Sequence, residues 1–190
     1  ANVLAGQMFG IPVKGTHAHS WVMSFPDELT AFRAYAELYP EGCMLLVDTY
    51  DTLKSGVPNA IKVFDELKQK GYKPLGIRLD SGDLAYLSKE ARKMLDDAGH
   101  SDCIICVSND IDEQVLLSLK AQDAKIDLFG IGTRLITSYD APSLGGVYKL
   151  CAIEENGKLV PKIKLSDTQA KITNPCLLYT SPSPRDRSVS

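Results

Sequence analysis

The sequence predicts an α/β fold, a parallel sheet covered by helices, and three observations predict it. Short apolar runs recur between longer segments whose apolar residues fall at helical spacing. Asp48, Asp80 and Asp110, which follow three of those runs, are separated by 32 and 30 residues, the length of one strand, one helix and their loops. Each run also ends in a polar cluster on its carboxyl side, the edge at which parallel sheets bind ligands. Right-handed crossovers turn such a repeat into one parallel sheet with helices outside. With 190 residues, 44% hydrophobic and 24% charged, there is enough apolar material for one core.

The elements follow in chain order. Residues 14–21 (KGTHAHSW) end in a polar cluster, Thr16 to His19, placed at a strand end, and residues 27–39 read as a helix. Residues 43–47 form the first strand of the repeat and deliver Asp48 and Asp51. Residues 57–70 carry apolar side chains at 57, 60, 61, 63, 64 and 67, a helical stripe that Gly71 stops. Residues 74–79 are the second strand, ending in Asp80 and Asp83, and residues 84–98 the second helix, closed by Gly99. Residues 103–107 and 126–131 are the third and fourth strands, with a helix over 111–121 between them. They deliver Asn109 and Asp110, then Gly132 to Arg134. Residues 146–165 read as two strands around Glu155-Asn156-Gly157-Lys158, a hairpin signal.

Composition removes several functional classes. A net charge of −3, from 21 basic and 24 acidic residues, argues against a nucleic-acid binder. No apolar run reaches the ~18–20 residues of a membrane span. The five cysteines make no zinc-like pair of pairs, and Cys103-x-x-Cys106 lies in an apolar strand, so buried thiols and a reducing, cytoplasmic setting are expected. The chain starts without Met or a signal segment, and residues 1–175 read as part of a larger domain. Residues 176–190 turn abruptly to Ser, Pro and Arg. Residues 176–186 match one translation frame of a sequencing adapter, so a non-native, disordered tail is expected there.

The chemistry-bearing residues gather at strand ends. Asp48 and Asp80 occupy equivalent places in successive βα units, so one rim should hold both carboxylates, within reach of one Mg²⁺ or one sugar. Arg78, on the same strand face as Asp80, offers a fork for phosphate or ribose oxygens, or else an ion pair with a rim acid. Gly130, Gly132 and Thr133 can bring backbone N–H groups and a hydroxyl to a phosphate, or simply form a tight turn. Asp112 reads as a helix cap. His17-x-His19 has zinc-site spacing, but the only other histidine is His100, expected solvated or dipole-facing past a helix end, so a zinc site fails on inventory. One of the two is then a nucleophile or phosphate acceptor, and a hydrogen-bonded core position suits His17.

These blocks together (GIPVKGTHAHSWVMSF, LLVDTYDTLKSGVPNAIKV, GIRLDSGDL, ICVSNDIDE and FGIGTRLITS) resemble the nicotinate phosphoribosyltransferase family across residues 1–175. The resemblance implies an incomplete parallel α/β barrel of the type II phosphoribosyltransferase kind, with a β-hairpin region near the C-terminal end. It implies ATP-coupled transfer of phosphoribosyl from phosphoribosyl pyrophosphate to nicotinate, in a homodimer. His19 would be the histidine phosphorylated by ATP, while Asp48 and Asp80 would hold Mg²⁺ and the ribose hydroxyls. Arg78 would lie near the phosphoribosyl group and Gly130, Gly132 and Thr133 around the 5′-phosphate. Thr16, Ser81, Gly82, Asn109 and Asp110 complete the expected substrate-binding set. Other pyridine substrates, nicotinamide or quinolinate, are the alternative, and an inactive phosphate-binding fragment is the alternative of another class.

Overall fold

The computed structural model describes residues 2–137 and 150–162. In chain order the elements are α1 (Asn2–Phe9), α2 (His19–Met23), α3 (Glu28–Leu38), β1 (Met44–Leu46), α4 (Val57–Gln69) and β2 (Gly76–Leu79). There follow α5 (Leu84–Asp97), β3 (Ile104–Val107), α6 (Glu113–Ala121), β4 (Leu128–Phe129), α7 (Thr133–Ile136), β5 (Ala152–Glu155) and β6 (Lys158–Pro161). The four strands β1 to β4 lie side by side in chain order, and all their pairings are parallel. That is the arrangement the βα repeat dictates. β5 and β6 pair antiparallel around Asn156 and Gly157, whose positive φ angles of 53° and 76° suit the tight hairpin turn. The expected tail, residues 176–190, lies outside the described residues.

Strand pleating sorts the sheet into two faces. Leu45, Val47, Ile77, Leu79, Ile105 and Val107 alternate onto one face and pack with Val63, Phe64 and Leu67 of α4 and Ala91 and Leu95 of α5. The opposite face carries the register row Leu46, Arg78 and Cys106. Two residues further on, the same pleat places Asp48, Asp80 and Ser108 at the carboxyl edge. Residue parity along each strand therefore separates core from chemistry.

Gly56 shows how tightly α4 is seated. The chain enters α4 through one π-helical turn, Thr52–Gly56, whose last residue lies against Val47, just past β1. A Cβ on Gly56 would lie 1.8 Å from the Val47 carbonyl oxygen, so no other residue fits without moving the helix.

Four acids cap four helical segments. Asp27, Asp51, Asp83 and Asp112 accept the backbone N–H groups of Thr30, Lys54, Tyr86 and Val115, respectively. Among the described residues, no helix is long and apolar enough to cross a membrane.

Two expectations are corrected. The segment before His19 is not a strand: residues 11–18 form no regular element, and a short helix begins at His19 itself. The chain turns there because α2 must pack on α3, with Val22 buried and Trp21 Nε1 donating to the Ala31 carbonyl at 3.1 Å. His100, expected to be solvated or dipole-facing, is fully buried: it packs edge-on against Phe64, and its Nε2 lies 2.9 Å from Asp65 Oδ1. The left-handed Gly99 folds the chain back under α5 and carries the ring inward.

Candidate functional site

The motifs after β1 and β2 divide their acids by position. In Asp48-Thr-Tyr-Asp51 and Asp80-Ser-Gly-Asp83 the second acid caps the following helical segment, whereas the first makes no cap. Asp48 and Asp80 turn instead toward each other. Asp48 Oδ2 accepts the Asp80 amide at 3.0 Å and the Ser81 hydroxyl. Asp80 Oδ1 accepts the Ser108 hydroxyl from the end of β3. Asp48 is nearly sealed, with 2% of its side chain exposed, while Asp80 stands 34% exposed on the open side.

His19 completes the group. Its Nδ1 lies 3.1 Å from Thr49 Oγ1, and its Nε2 lies 3.9 Å from Asp48 Oδ1 and 3.5 Å from Asp80 Oδ2. Each of the three side chains is thus held by one hydroxyl: His19 by Thr49, Asp48 by Ser81 and Asp80 by Ser108. Each also turns one further heteroatom into a common space. Two of those atoms, His19 Nε2 and Asp48 Oδ1, are buried and have no hydrogen-bond partner among the described residues. Leaving such atoms unmatched costs free energy, and sites that bind ligands keep them so.

The electrostatics favour an ionised Asp80. Burial pushes its carboxyl up, but the His19 ring, the Ser108 hydroxyl and the Arg78 charge outweigh that, and it stays below the usual carboxylate range. Arg78 lies half-buried on this face and makes no ion pair among the described residues, and its Nε is buried without a partner. The structural ion pair that was the alternative for Arg78 is therefore absent from the described residues.

His17 takes the core position. It is 7% exposed; its Nε2 accepts the Leu46 amide at 3.2 Å, and its Nδ1 faces the Ala18 carbonyl at 3.4 Å. The acceptor role of Nε2 fixes the proton on Nδ1. Burial pulls the ring's pKa down to about 4. The ring seals the outer edge of β1, where no strand is paired among the described residues.

Apart from Thr16, the other expected site residues follow β2, β3 and β4 at the same carboxyl edge. Ser81 and Gly82 follow β2, and Gly82 adopts φ +81°. Asn109 and Asp110 follow β3 with φ of 104° and 36°, strained values for residues other than glycine. Gly130, Gly132 and Thr133 follow β4; Gly130 N–H donates to the Val107 carbonyl at 2.7 Å, and Gly132 stands at the start of α7. Arg134 ties that turn to Asp112 at 3.3 Å. Among the hydrogen bonds described, none joins Gly130, Gly132 or Thr133 to the acids. Thr16 donates to the His17 carbonyl at 3.0 Å and lines a concavity of about 860 Å³ with His17, Trp21, Tyr35 and Tyr39. That hollow lies beside β1 and excludes Asp48 and Asp80.

Thr49 and Ser108 were not singled out from the sequence. Their only signal was adjacency, since each is the hydroxyl residue next to a strand end that already carried an acid or an amide. The buried Cys43, Cys103 and Cys106 are free thiols, as the apolar C-x-x-C context implied.

The donor set suits a hard cation completed by substrate. Asp48 Oδ1 and Asp80 Oδ2 face one space, whereas no group of three His, Cys, Asp or Glu among the described residues forms a cage for a metal on its own. An imidazole beside two carboxylates can also exchange a proton or accept a phosphoryl group.

A sequence profile of the nicotinate phosphoribosyltransferase (NAPRTase) family matches residues 1–174. A nicotinate phosphoribosyltransferase of Bacillus subtilis is 58% identical over 175 residues, 92% of this chain and 35% of that protein. The crystal structure of human nicotinic acid phosphoribosyltransferase superposes with a TM-score of 0.64 at 33% identity, covering 68% of this chain and 37% of that one. A nicotinate phosphoribosyltransferase structure from Vibrio cholerae shares the fold, with a TM-score of 0.61 at 19% identity over 90% of this chain and 43% of that one. The chain spans about a third of the length of the Bacillus subtilis relative.

Proposed function

This chain belongs to the nicotinate phosphoribosyltransferase family, and we propose that the protein carrying it transfers phosphoribosyl from phosphoribosyl pyrophosphate to nicotinate. The products are nicotinate mononucleotide and pyrophosphate, ATP is the coupled co-substrate, and the step belongs to NAD salvage from nicotinate. The observation that carries this reading is the convergence of His19 Nε2, Asp48 Oδ1 and Asp80 Oδ2 within 3.9 Å at the carboxyl edge of the sheet.

In this reading Asp48 and Asp80 hold Mg²⁺ and the ribose hydroxyls. When bound, the ion neutralises charge on the departing pyrophosphate. As the bond from the anomeric carbon to pyrophosphate breaks, the ribose ring gains oxocarbenium character, and the nicotinate nitrogen takes the carbon. Two fixed carboxylates favour the positive ring, and Arg78 favours the negative leaving group. Gly130, Gly132 and Thr133 receive the 5′-phosphate, with Thr16, Ser81, Gly82, Asn109 and Asp110 around the substrates. His19 accepts the γ-phosphoryl of ATP as ADP leaves, and water later breaks the N–P bond and releases phosphate, which couples ATP cleavage to a tighter substrate-binding state. A cytoplasmic homodimer completes the proposal.

The test is a transfer assay on the full-length protein with phosphoribosyl pyrophosphate, ATP and Mg²⁺, offering nicotinate, nicotinamide and quinolinate separately. Nicotinate mononucleotide from the first alone is the expected result. Product from nicotinamide or quinolinate at equal kcat/KM overturns the substrate assignment, and no product from any overturns the activity.

A further inference from the structure

We propose that Ser108 is a positioning residue that fixes the Asp80 carboxylate beside the glycine turn after β4, its hydroxyl holding one carboxylate oxygen while its Cβ underlies Gly130. Register brings the three residues together. Leu79 pairs with Val107 and Val107 with Phe129, so Asp80, Ser108 and Gly130 form the next row across β2, β3 and β4. Ser108 stands in the middle of that row and touches both neighbours.

Toward β2 it makes two bonds. Its N–H donates to the Leu79 carbonyl at 2.9 Å, and its hydroxyl donates to Asp80 Oδ1. The Asp80 main chain is held separately, its own N–H donating to Asp48 Oδ2 at 3.0 Å. What is left to fix is the Asp80 side chain, which is 34% exposed and whose last torsion is soft. The Ser108 hydroxyl removes that freedom. With Oδ1 engaged, Oδ2 faces the space it shares with His19 Nε2, 3.5 Å away.

Toward β4, Gly130 lies on Ser108. The Gly130 N–H donates to the Val107 carbonyl at 2.7 Å, and a Cβ on Gly130 would lie 3.4 Å from Ser108 Cβ. With the acid taking the ribose and the turn taking the 5′-phosphate, a bound sugar phosphate spans Ser108. A carboxylate fixed beforehand needs no reorganisation as charge develops on the ring, whereas small misplacements cost large factors in rate. Ser108→Ala isolates the hydroxyl, since alanine keeps both the N–H to Leu79 and the Cβ under Gly130.

The kinetic consequence rests on the transfer reaction proposed above; the hold on Asp80 does not. The experiment compares full-length wild type with Ser108→Ala, Asp80→Ala and the double variant, in transfer to nicotinate and in crystals. Ser108→Ala should lower kcat about tenfold or more, with KM for phosphoribosyl pyrophosphate within about threefold of wild type. In the Asp80→Ala background the same change should cost less than about twofold, because the hydroxyl then has no carboxylate to hold. Crystals should show one Asp80 side-chain orientation in wild type and more than one in Ser108→Ala, over an unmoved main chain. A Ser108→Ala kcat within about twofold of an active wild type overturns the proposal, as does an equal loss in the Asp80→Ala background. So does a single Asp80 orientation in Ser108→Ala, or a rise in KM alone, which would make Ser108 a support of the phosphate turn. If wild type transfers nothing while Asp80 loosens as stated, the assigned reaction fails and the positioning role stands.

Discussion

Asp48 Oδ2 accepts the backbone N–H of Asp80 at 3.0 Å, so the acid that ends one βα unit holds the main chain that presents the acid of the next. The Ser81 hydroxyl donates to the same oxygen, and charge-assisted bonds of this kind are about twice as strong as neutral ones. The two carboxylates form one mechanical unit rather than two independent ligands. Register explains it: Leu46 stands opposite Arg78, so two residues later the acids meet across the strand gap.

Replacing Asp48 by Asn should therefore damage the site more than the fold. The amide still offers one oxygen to Asp80 N–H and Ser81, but it turns an NH₂ toward His19 Nε2 and removes the charge. We expect kcat/KM for transfer to fall by roughly 10²–10³, the range typical of a lost electrostatic stabiliser. Circular dichroism should remain native. Activity within a few-fold of wild type would show that Asp48 only braces the Asp80 loop.

Gly56→Ala tests the seating of α4. Its Cβ would sit 1.8 Å from the Val47 oxygen, and helix or strand must shift to relieve that contact. Overpacking of this sort costs about 1–3 kcal/mol. A lower thermal midpoint is expected, with loss of transfer, because Thr49 lies between the two contact points. An unchanged midpoint would mean that the helix entry is free to move.

The sheet order and helices were legible because every unit repeats the same grammar: an apolar run, a polar cluster, an amphipathic stripe, a stopping glycine. Asp48 and Asp80 were legible for the same reason, as equivalents in successive units. What escaped was whatever depended on three-dimensional neighbours. Nothing in KGTHAHSW marks a helix start at His19, because α2 exists by packing on α3. His100 follows a helix and looks solvated until Gly99 turns it under Phe64. The hydroxyls of Thr49 and Ser108 are ordinary loop residues until the strands place them beside His19 and Asp80. The division of labour in the two D-x-x-D segments was likewise hidden, since the acid that caps and the acid that faces His19 are the same residue type.

Acid sensitivity should trace in part to His17. Its folded ring titrates near 4 against an ordinary value of 6.5, so between those limits the unfolded chain binds the proton first. The stabilisation is complete above about pH 6.5 and is lost as pH falls toward 4, a span worth about 3 kcal/mol. Urea unfolding of wild type and His17→Gln at pH 7 and pH 4.5 isolates this contribution. The variant should lose less stability on acidification; parallel losses would assign the effect elsewhere.

Thiol reactivity should follow burial. Burial pushes the Cys43 thiol up to about 12 and the Cys103 thiol to about 11, and it raises Cys106 as well. At pH 8 the Cys43 thiolate is about one part in ten thousand, too little for alkylation on the minute scale. Half-buried Cys151 should react with iodoacetamide in the native protein while these three remain unmodified, as read by peptide mass mapping. Rapid labelling at Cys43 would mean that β1 opens locally.

The two histidines of the H-x-H segment should separate cleanly in a paired experiment. Both ring nitrogens of His17 are engaged by main chain, Nε2 by the Leu46 amide and Nδ1 by the Ala18 carbonyl, which leaves no lone pair for phosphorus. His19 has only a hydroxyl at one nitrogen, and its other nitrogen faces the acids. Acid-labile phosphate from labelled ATP should vanish in His19→Ala, together with ATP-linked enhancement of transfer. In His17→Ala incorporation should persist at reduced stability, because the Leu46 amide loses its acceptor, a penalty of about 1–3 kcal/mol. Incorporation lost in His17→Ala but kept in His19→Ala would reverse the assignment, and incorporation kept in both would remove phosphohistidine from the reaction.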